Sequence, residues 1–188
     1  MPFQQDNHIG EGSEPLLVIL GLNRTGTTLL YNLMSQNEGV RAPKTWEIYY
    51  PTPPPRKETY ETDERIEATR KLLSVFEKTG YSFGNMHKLD ANWPEECLFA
   101  MREINYYTEY HFTQTFSKHG YLDWFYKQDV KDIYRECKLF LQVISYYYKP
   151  TSHWLLKAPY HLNEIDTLLE TYSKKYFFSF SDFFKILR

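Results

Sequence analysis

The chain has 188 residues, enough for one domain with its own core and too few for two. Its 22 lysine and arginine residues against 24 aspartate and glutamate residues give a net charge of −2, which excludes the basic surface of a protein that binds nucleic acid phosphates. The longest apolar stretch spans only residues 16–20, too short for a membrane helix, and residues 1–14 lack the features of a signal peptide. We therefore expect a cytoplasmic protein that does not bind membranes.

The first predicted unit is a strand, a loop and a helix. The apolar run at 16–20 ends at Gly21, a pattern typical of a strand buried on both faces in a parallel sheet. Apolar residues then recur at helical spacing over residues 27–36. Such a unit is the usual beginning of an α/β domain.

Five further helices and two further strands are predicted. The helices are expected from about 62 to just before Gly80, from Pro94 through Ile104, over most of 106–126, from about 130 to 148, and through Ile165, Leu168 and Leu169; the strands are expected at 153–157 and 176–180. This order predicts a three-layer α/β fold, with a parallel sheet covered by helices on both faces.

The loop between the first strand and helix carries the functional argument. Residues 21–28 read GLNRTGTT, and a glycine-spaced loop in this position wraps backbone amides around a phosphate at the helix N-terminus. Thr27 stands where nucleoside triphosphate-binding loops of the same spacing need a lysine, which makes a P-loop kinase the weakest alternative. Arg24, Thr27 and Thr28 instead suit a phosphate with a second anionic group attached. A glycine turn without a ligand stays open.

Residues 24–28, RTGTT, resemble the 5′-phosphosulfate loop of sulfotransferases that use 3′-phosphoadenosine 5′-phosphosulfate (PAPS). Five more segments resemble the branch whose loop reads P-R-S-G-T-T-L-L, and they occur in family order: RAPKTWE at 41–47, YPTPPP at 50–55, MH at 86–87 with WPEEC at 93–97, LFLQ at 139–142 and WLLKAPYHL at 154–162. The resemblance implies transfer of a sulfuryl group from PAPS, without a metal, to a hydroxyl or amine of a small-molecule or glycan acceptor.

The resemblance also implies which residues hold the donor. These are Asn23, Arg24, Thr25, Gly26, Thr27 and Thr28. Arg24 would stabilise the leaving 5′-phosphate together with the loop amides. The sequence shows no histidine, cysteine and aspartate spacing typical of a zinc site.

Several side chains are candidates for the general base. Glu47 is the first, because related sulfotransferases place a glutamate close to this position, although pairing with a neighbouring cation would explain it as well. His87 is the second, because histidine accepts a proton near neutral pH. Glu95 and Glu96 complement a helix dipole equally well. Lys157 either contacts the donor or acceptor, or neutralises a carboxylate.

Two departures separate the chain from the family pattern. Asn23 replaces the usual proline, and after residue 172 the family continues into an arginine-aspartate-proline turn that holds the 3′-phosphate, where this chain reads SKKYFFSFSDFFKILR. We therefore expect a C-terminally truncated member: a polar lead-in at 1–14, a partial sulfotransferase domain at 15–172 and a divergent tail at 173–188. Such a chain would transfer little sulfate, and the alternative function is a non-catalytic remnant.

Overall fold

The computed structural model describes residues 14–22, 24–78, 89–104, 127, 129–172 and 175–179. In chain order, its strands and α-helices are β1 (Leu16–Leu20), α1 (Thr27–Met34), β2 (Val40–Arg41), α2 (Thr45–Tyr49), α3 (Glu64–Lys78), α4 (Lys131–Ile144), β3 (His153–Lys157), α5 (Ile165–Thr171) and β4 (Lys175–Ser179). Short 3₁₀ helices span Lys57–Thr59, Cys97–Ile104 and Pro159–Leu162. Within these residues, no helix is both long and apolar enough to cross a lipid bilayer.

The four strands form one sheet in the order β2-β3-β1-β4, and all the pairings are parallel. Leu17 of β1 lies opposite Leu155 of β3 on one side and Tyr176 of β4 on the other. Because the strands are parallel, their carboxyl ends share one edge, where ligands bind in open α/β sheets. That edge places the loop after β1 beside Lys157, the last residue of β3.

Helices cover both faces of the sheet, as the sequence predicts. On one face, Leu16 and Val18 of β1 share a core with residues of α4 and α5, including Ile133, Leu141 and Leu168. On the other face, the neighbouring β1 residue Ile19 packs with α1 and with Leu155 of β3: its partners include Leu30 and Tyr31. Burial from both sides explains why β1 is a continuous apolar run.

Three predicted elements differ in the structure. The first helix ends at Met34, and the long helix α4 ends at Ile144 rather than near residue 148. The guanidinium of Arg41 donates hydrogen bonds to the carbonyl oxygens of Ile144, at 3.0 Å, and of Tyr148. These bonds help to hold the chain beyond α4 in a non-helical path. The last strand is 175–179, one residue earlier than predicted.

Pro94 does not begin a helix, contrary to the sequence prediction. It forms an isolated antiparallel bridge with Lys44, and a 3₁₀ helix begins only at Cys97. The backbone amide of Glu95 donates to the Pro43 carbonyl at 2.9 Å, and the amide of Thr45 donates to the Trp93 carbonyl at 3.0 Å. These long-range bonds hold the segment extended. The helix predicted over 106–126 lies outside the described residues.

Candidate active site

The loop after β1 has a backbone that only certain residues adopt. Arg24 has a φ of 65° and Gly26 has a φ of 88°, and left-handed residues are typical of the turns whose amides form an anion-binding concavity. Thr25 braces the turn by donating its hydroxyl to the Leu22 carbonyl at 2.7 Å. A Cβ at Gly21 would lie 2.5 Å from Thr27 Cγ2, so the close approach of loop and helix requires glycine there.

The N-terminus of α1 opens directly from this loop. Gly26 is its N-cap and supplies no side-chain hydrogen bond, so no side chain of the N-cap satisfies the first amides of α1. These amides and the helix dipole favour an anion. The Arg24 side chain is exposed in the same loop, while Thr27 is buried under it. The arrangement suits a phosphate group. Asn23, which is also predicted to bind the donor, lies outside the described residues.

Lys157 brings a cation to the same edge of the sheet. Its side chain is only 4% exposed, and its Nζ donates to Thr28 Oγ1 at 3.1 Å. The same Nζ forms an ion pair with Glu96 Oε1. The structure therefore joins Thr28, Lys157 and Glu96, and it places a lysine beside a loop that lacks one in its own sequence.

Glu47 lies in a different environment. Its side chain is fully buried, and it forms an ion pair with Arg41, accepts the Tyr60 hydroxyl at 2.8 Å and accepts the Lys44 backbone amide at 2.9 Å. Burial, and then the negative charge of Glu47, raises the pKa of Tyr60. Among the described residues, none of the Glu47 hydrogen bonds goes to the loop. Its role as the base stays a prediction.

Arg41, the partner of Glu47, is itself held by aromatic rings. Its guanidinium carbon lies 4.3 Å from the ring centre of Tyr148, 4.6 Å from that of Trp154 and 5.2 Å from that of Tyr60. Such contacts stabilise a desolvated cation. The Arg41–Glu47 pair is thus the centre of a packed cluster, which fits the structural explanation that the sequence left open for Glu47.

The other predicted site residues divide between the interior and segments that the structure does not describe. His87 lies outside the described residues, and its role stays a prediction. Glu95 is buried, and its Oε1 accepts the Glu96 amide at 2.7 Å. His161, which follows β3, is buried between Cys97 Sγ at 3.0 Å and the Tyr134 hydroxyl at 2.9 Å. Burial lowers the pKa of His161 to about 3, so this histidine is neutral at pH 7 and structural.

The pairing of Lys157 with Glu96 is the site feature that the sequence does not predict. The rule that ligands lie at the carboxyl ends of parallel strands points to Lys157 and His161, but not to Glu96. Glu96 reaches it only because residues 93–95 pair with 43–45, a contact between distant segments. The part of the chain that the structure describes contains no group of three or more histidine, cysteine, aspartate or glutamate side chains arranged to hold a metal.

Comparisons with known proteins identify the family of the chain. A profile of the sulfotransferase family matches residues 15–177. Two similar crystal structures are sulfotransferase STF9 from Mycobacterium avium, at 26% identity and a TM-score of 0.69, and sulfotransferase STF1 from Mycobacterium tuberculosis H37Rv, at 27% identity and a TM-score of 0.67. Each alignment covers 89% of this chain but only 42% and 45%, respectively, of those chains. Among curated proteins, none matches significantly. The matched residues include the loop, β3 and the segment that carries Glu96, and the chain belongs to the sulfotransferase family.

Proposed function

We propose that this chain carries the 5′-phosphosulfate site of an enzyme that transfers a sulfuryl group from PAPS to a hydroxyl or amine acceptor. One observation carries the proposal: a helix N-terminus without a side-chain cap, an arginine in the preceding loop and a buried lysine meet at the carboxyl edge of one parallel sheet. Each of the three favours negative charge, and together they suit the 5′-phosphosulfate end of the donor.

The loop after β1 is the proposed binding site of the 5′-phosphate. Its amides over 25–28 and the hydroxyls of Thr27 and Thr28 would donate to the phosphate oxygens. Arg24 would neutralise the charge that grows on this phosphate as it leaves. The close packing of Gly21 against Thr27 supports this role, because it fixes the loop before any ligand arrives.

Lys157 is the proposed cation for the transferred group. In the reaction, an acceptor oxygen or nitrogen forms a bond to sulfur, the bond from sulfur to the 5′-phosphate oxygen breaks, and the acceptor proton passes to a base. The Lys157 ammonium, 3.1 Å from Thr28 Oγ1, is close enough to the loop to stabilise the sulfuryl oxygens or the leaving bridging oxygen.

Two carboxylates compete for the role of base. Glu47 is the candidate from the family resemblance, and it could act only after one of its three donors, Arg41, Tyr60 or the Lys44 amide, gives up a carboxylate oxygen. Glu96 is favoured by position, since it already contacts Lys157 beside the loop. Replacing each carboxylate with glutamine distinguishes the two candidates, because only loss of the base removes the acidic limb of the pH–rate profile.

Binding of the product PAP tests the donor site. In thermal unfolding of the full-length protein, PAP at about 100 times its Kd should add about 2.7 kcal/mol of stability. Arg24→Ala should remove most of this gain. The matched control is Arg70→Ala, an exposed arginine of α3 whose only described ion pair is with Glu67.

The control variant should respond to PAP like the wild type. Equal stabilisation of wild type and Arg24→Ala by PAP would contradict the assignment of Arg24 to the donor site. No stabilisation of the wild type would contradict the proposed function.

A further inference from the structure

A groove of 580 Å³ lies beside α1, and two of its lining residues are close in sequence to residues of the proposed reaction site. Leu29 directly follows Thr28, and Pro94 lies two residues before Glu96. The lining continues from Leu29 past Met34, the last residue of α1, to Gln36. Seven residues at the helical rise span roughly 10 Å, so the groove has the length of about two sugar rings and a volume typical of ligand sites.

The groove is electrically balanced. Three of its lining residues are charged, and each has a partner of opposite sign: Arg41 pairs with Glu47, and Lys44 Nζ lies 3.1 Å from Glu61 Oε1. An ionic acceptor would therefore meet no unpaired countercharge among these residues, and it would lose its hydration on entering. A neutral ligand meets no such penalty.

Two residues that line the groove each have a buried polar atom without a hydrogen-bond partner among the described residues. These atoms are Asn92 Oδ1, an acceptor, and Arg41 Nε, a donor. A hydroxyl group can both donate and accept, so it is a ligand group that suits either atom. Gln36 adds a further amide at the far end.

Trp93 supplies an apolar face at the mouth of the groove. Its side chain is 41% exposed, whereas Trp46 and Trp154 are buried. The CH face of a pyranose ring packs against an indole by dispersion, while its hydroxyls point sideways to polar neighbours. A flat apolar wall beside amide groups fits such a ring.

From these features we infer that the groove beside α1 is the acceptor site and that its ligand is a neutral saccharide of about two rings. The inference rests on the proposed function. A sugar hydroxyl at the Leu29 end lies next to Thr28 and Lys157, where its oxygen forms the new bond to sulfur, the bond from sulfur to PAP breaks, and the hydroxyl proton passes to a carboxylate. Trp93 is a specificity residue in this account, and Asn92 orients the ring.

Saturation-transfer NMR on the full-length protein tests the inference. The probes are maltose and cellobiose, with 2-naphthol and hexylamine as non-sugar acceptors of comparable size. At least one disaccharide should bind, Trp93→Ala should weaken binding about tenfold, and Trp93→Tyr should restore it to within about threefold. Asn92→Ala should weaken it about fivefold. The control Tyr146→Ala removes an exposed aromatic outside the groove and should change nothing.

PAP binding to the same variants separates this inference from the proposed function. Trp93→Ala should keep the PAP-induced stabilisation of the wild type, which also shows that the variant is folded. Normal PAP binding without disaccharide binding, or disaccharide binding that is unchanged in Trp93→Ala, would overturn the inference and leave the donor site intact. Binding of 2-naphthol or hexylamine in place of sugars would overturn it as well. Loss of PAP binding in the wild type would contradict the proposed function, and sugar binding that depends on Trp93 would still support a saccharide site.

Discussion

Two ion pairs, Arg41–Glu47 and Lys157–Glu96, differ in how fully their carboxylates are used. Glu47 is completely buried, and its two oxygens receive Arg41, Tyr60 and the Lys44 amide. Glu96 is 15% exposed, and in the described hydrogen bonds its carboxylate accepts from Lys157 alone. The first pair is locked into the core, whereas the second adjoins the loop after β1 through Thr28. A carboxylate of the first kind stabilises the fold, and one of the second kind is able to exchange partners during a reaction.

Charge removal at the two pairs should give the largest difference. Glu47→Gln leaves the Arg41 guanidinium buried without its counter-ion, so we expect a loss of about 3–5 kcal/mol in the free energy of unfolding. Glu96→Gln also removes the counter-ion of a buried cation, but Lys157 keeps its contact with Thr28 and the Glu96 side chain is 15% exposed, so the loss should be smaller, about 1–3 kcal/mol. Chemical denaturation measures both.

The control for this comparison is a third ion pair at the surface. Glu61, 73% exposed, pairs with Lys44, and Glu61→Gln should cost less than about 1 kcal/mol. If Glu96→Gln destabilises the protein as much as Glu47→Gln, the distinction between a locked pair and an exchangeable pair is wrong.

A smaller effect is expected from protonation of His161, which lies beneath the second pair and contacts Cys97, the neighbour of Glu96. Burial lowers the pKa of His161 to about 3 in the folded state, against about 6.5 in the unfolded chain. The unfolded state therefore binds more protons between these values, and stability falls as the pH drops through this window. At pH 5 the loss from this residue is about 2 kcal/mol relative to pH 7.

Denaturation at pH 7 and pH 5 checks this expectation against His161→Gln, which keeps a polar side chain but does not titrate. The variant should lose most of the pH dependence between these values. A matched variant, His153→Gln, changes a less buried histidine and should retain most of it. An unchanged slope in His161→Gln would show that other groups carry the acid sensitivity.

The sequence predicts the parts of the fold that depend on local pattern. β1 and β3 coincide with their predicted ranges, because an apolar run of five residues bounded by turn signals is a strong signal for a strand buried on both faces. β2 has two residues and α2 has five, too short for any periodicity to show. Their positions depend on contacts with distant segments, such as the Trp46 amide bound to the Ala91 carbonyl at 3.1 Å.

In the candidate site, too, the sequence predicts local features but not contacts between distant segments. The loop after β1 is contiguous, so residues 24–28 can be predicted from their spacing and from the strand before them. The partners of Glu47 and Glu96 cannot be predicted from the sequence, because Tyr60 and Lys157 reach these carboxylates only through tertiary packing. Pro94 is a second example. Its position in the sequence favours the start of a helix, but the segment is extended because residues 93–95 pair with residues 43–45.

The most direct test of the central claim is the phosphorus NMR spectrum of PAP bound to this protein. The 5′-phosphate and 3′-phosphate give separate signals, and the account predicts that the 5′ signal shifts on binding, because that phosphate lies against the loop amides, Arg24 and Lys157. In Arg24→Ala and Lys157→Met this shift should decrease, while Arg70→Ala should retain it. A bound spectrum in which only the 3′ signal moves, or in which the 5′ shift is unchanged in both variants, would contradict the assignment of the loop after β1 as the donor site.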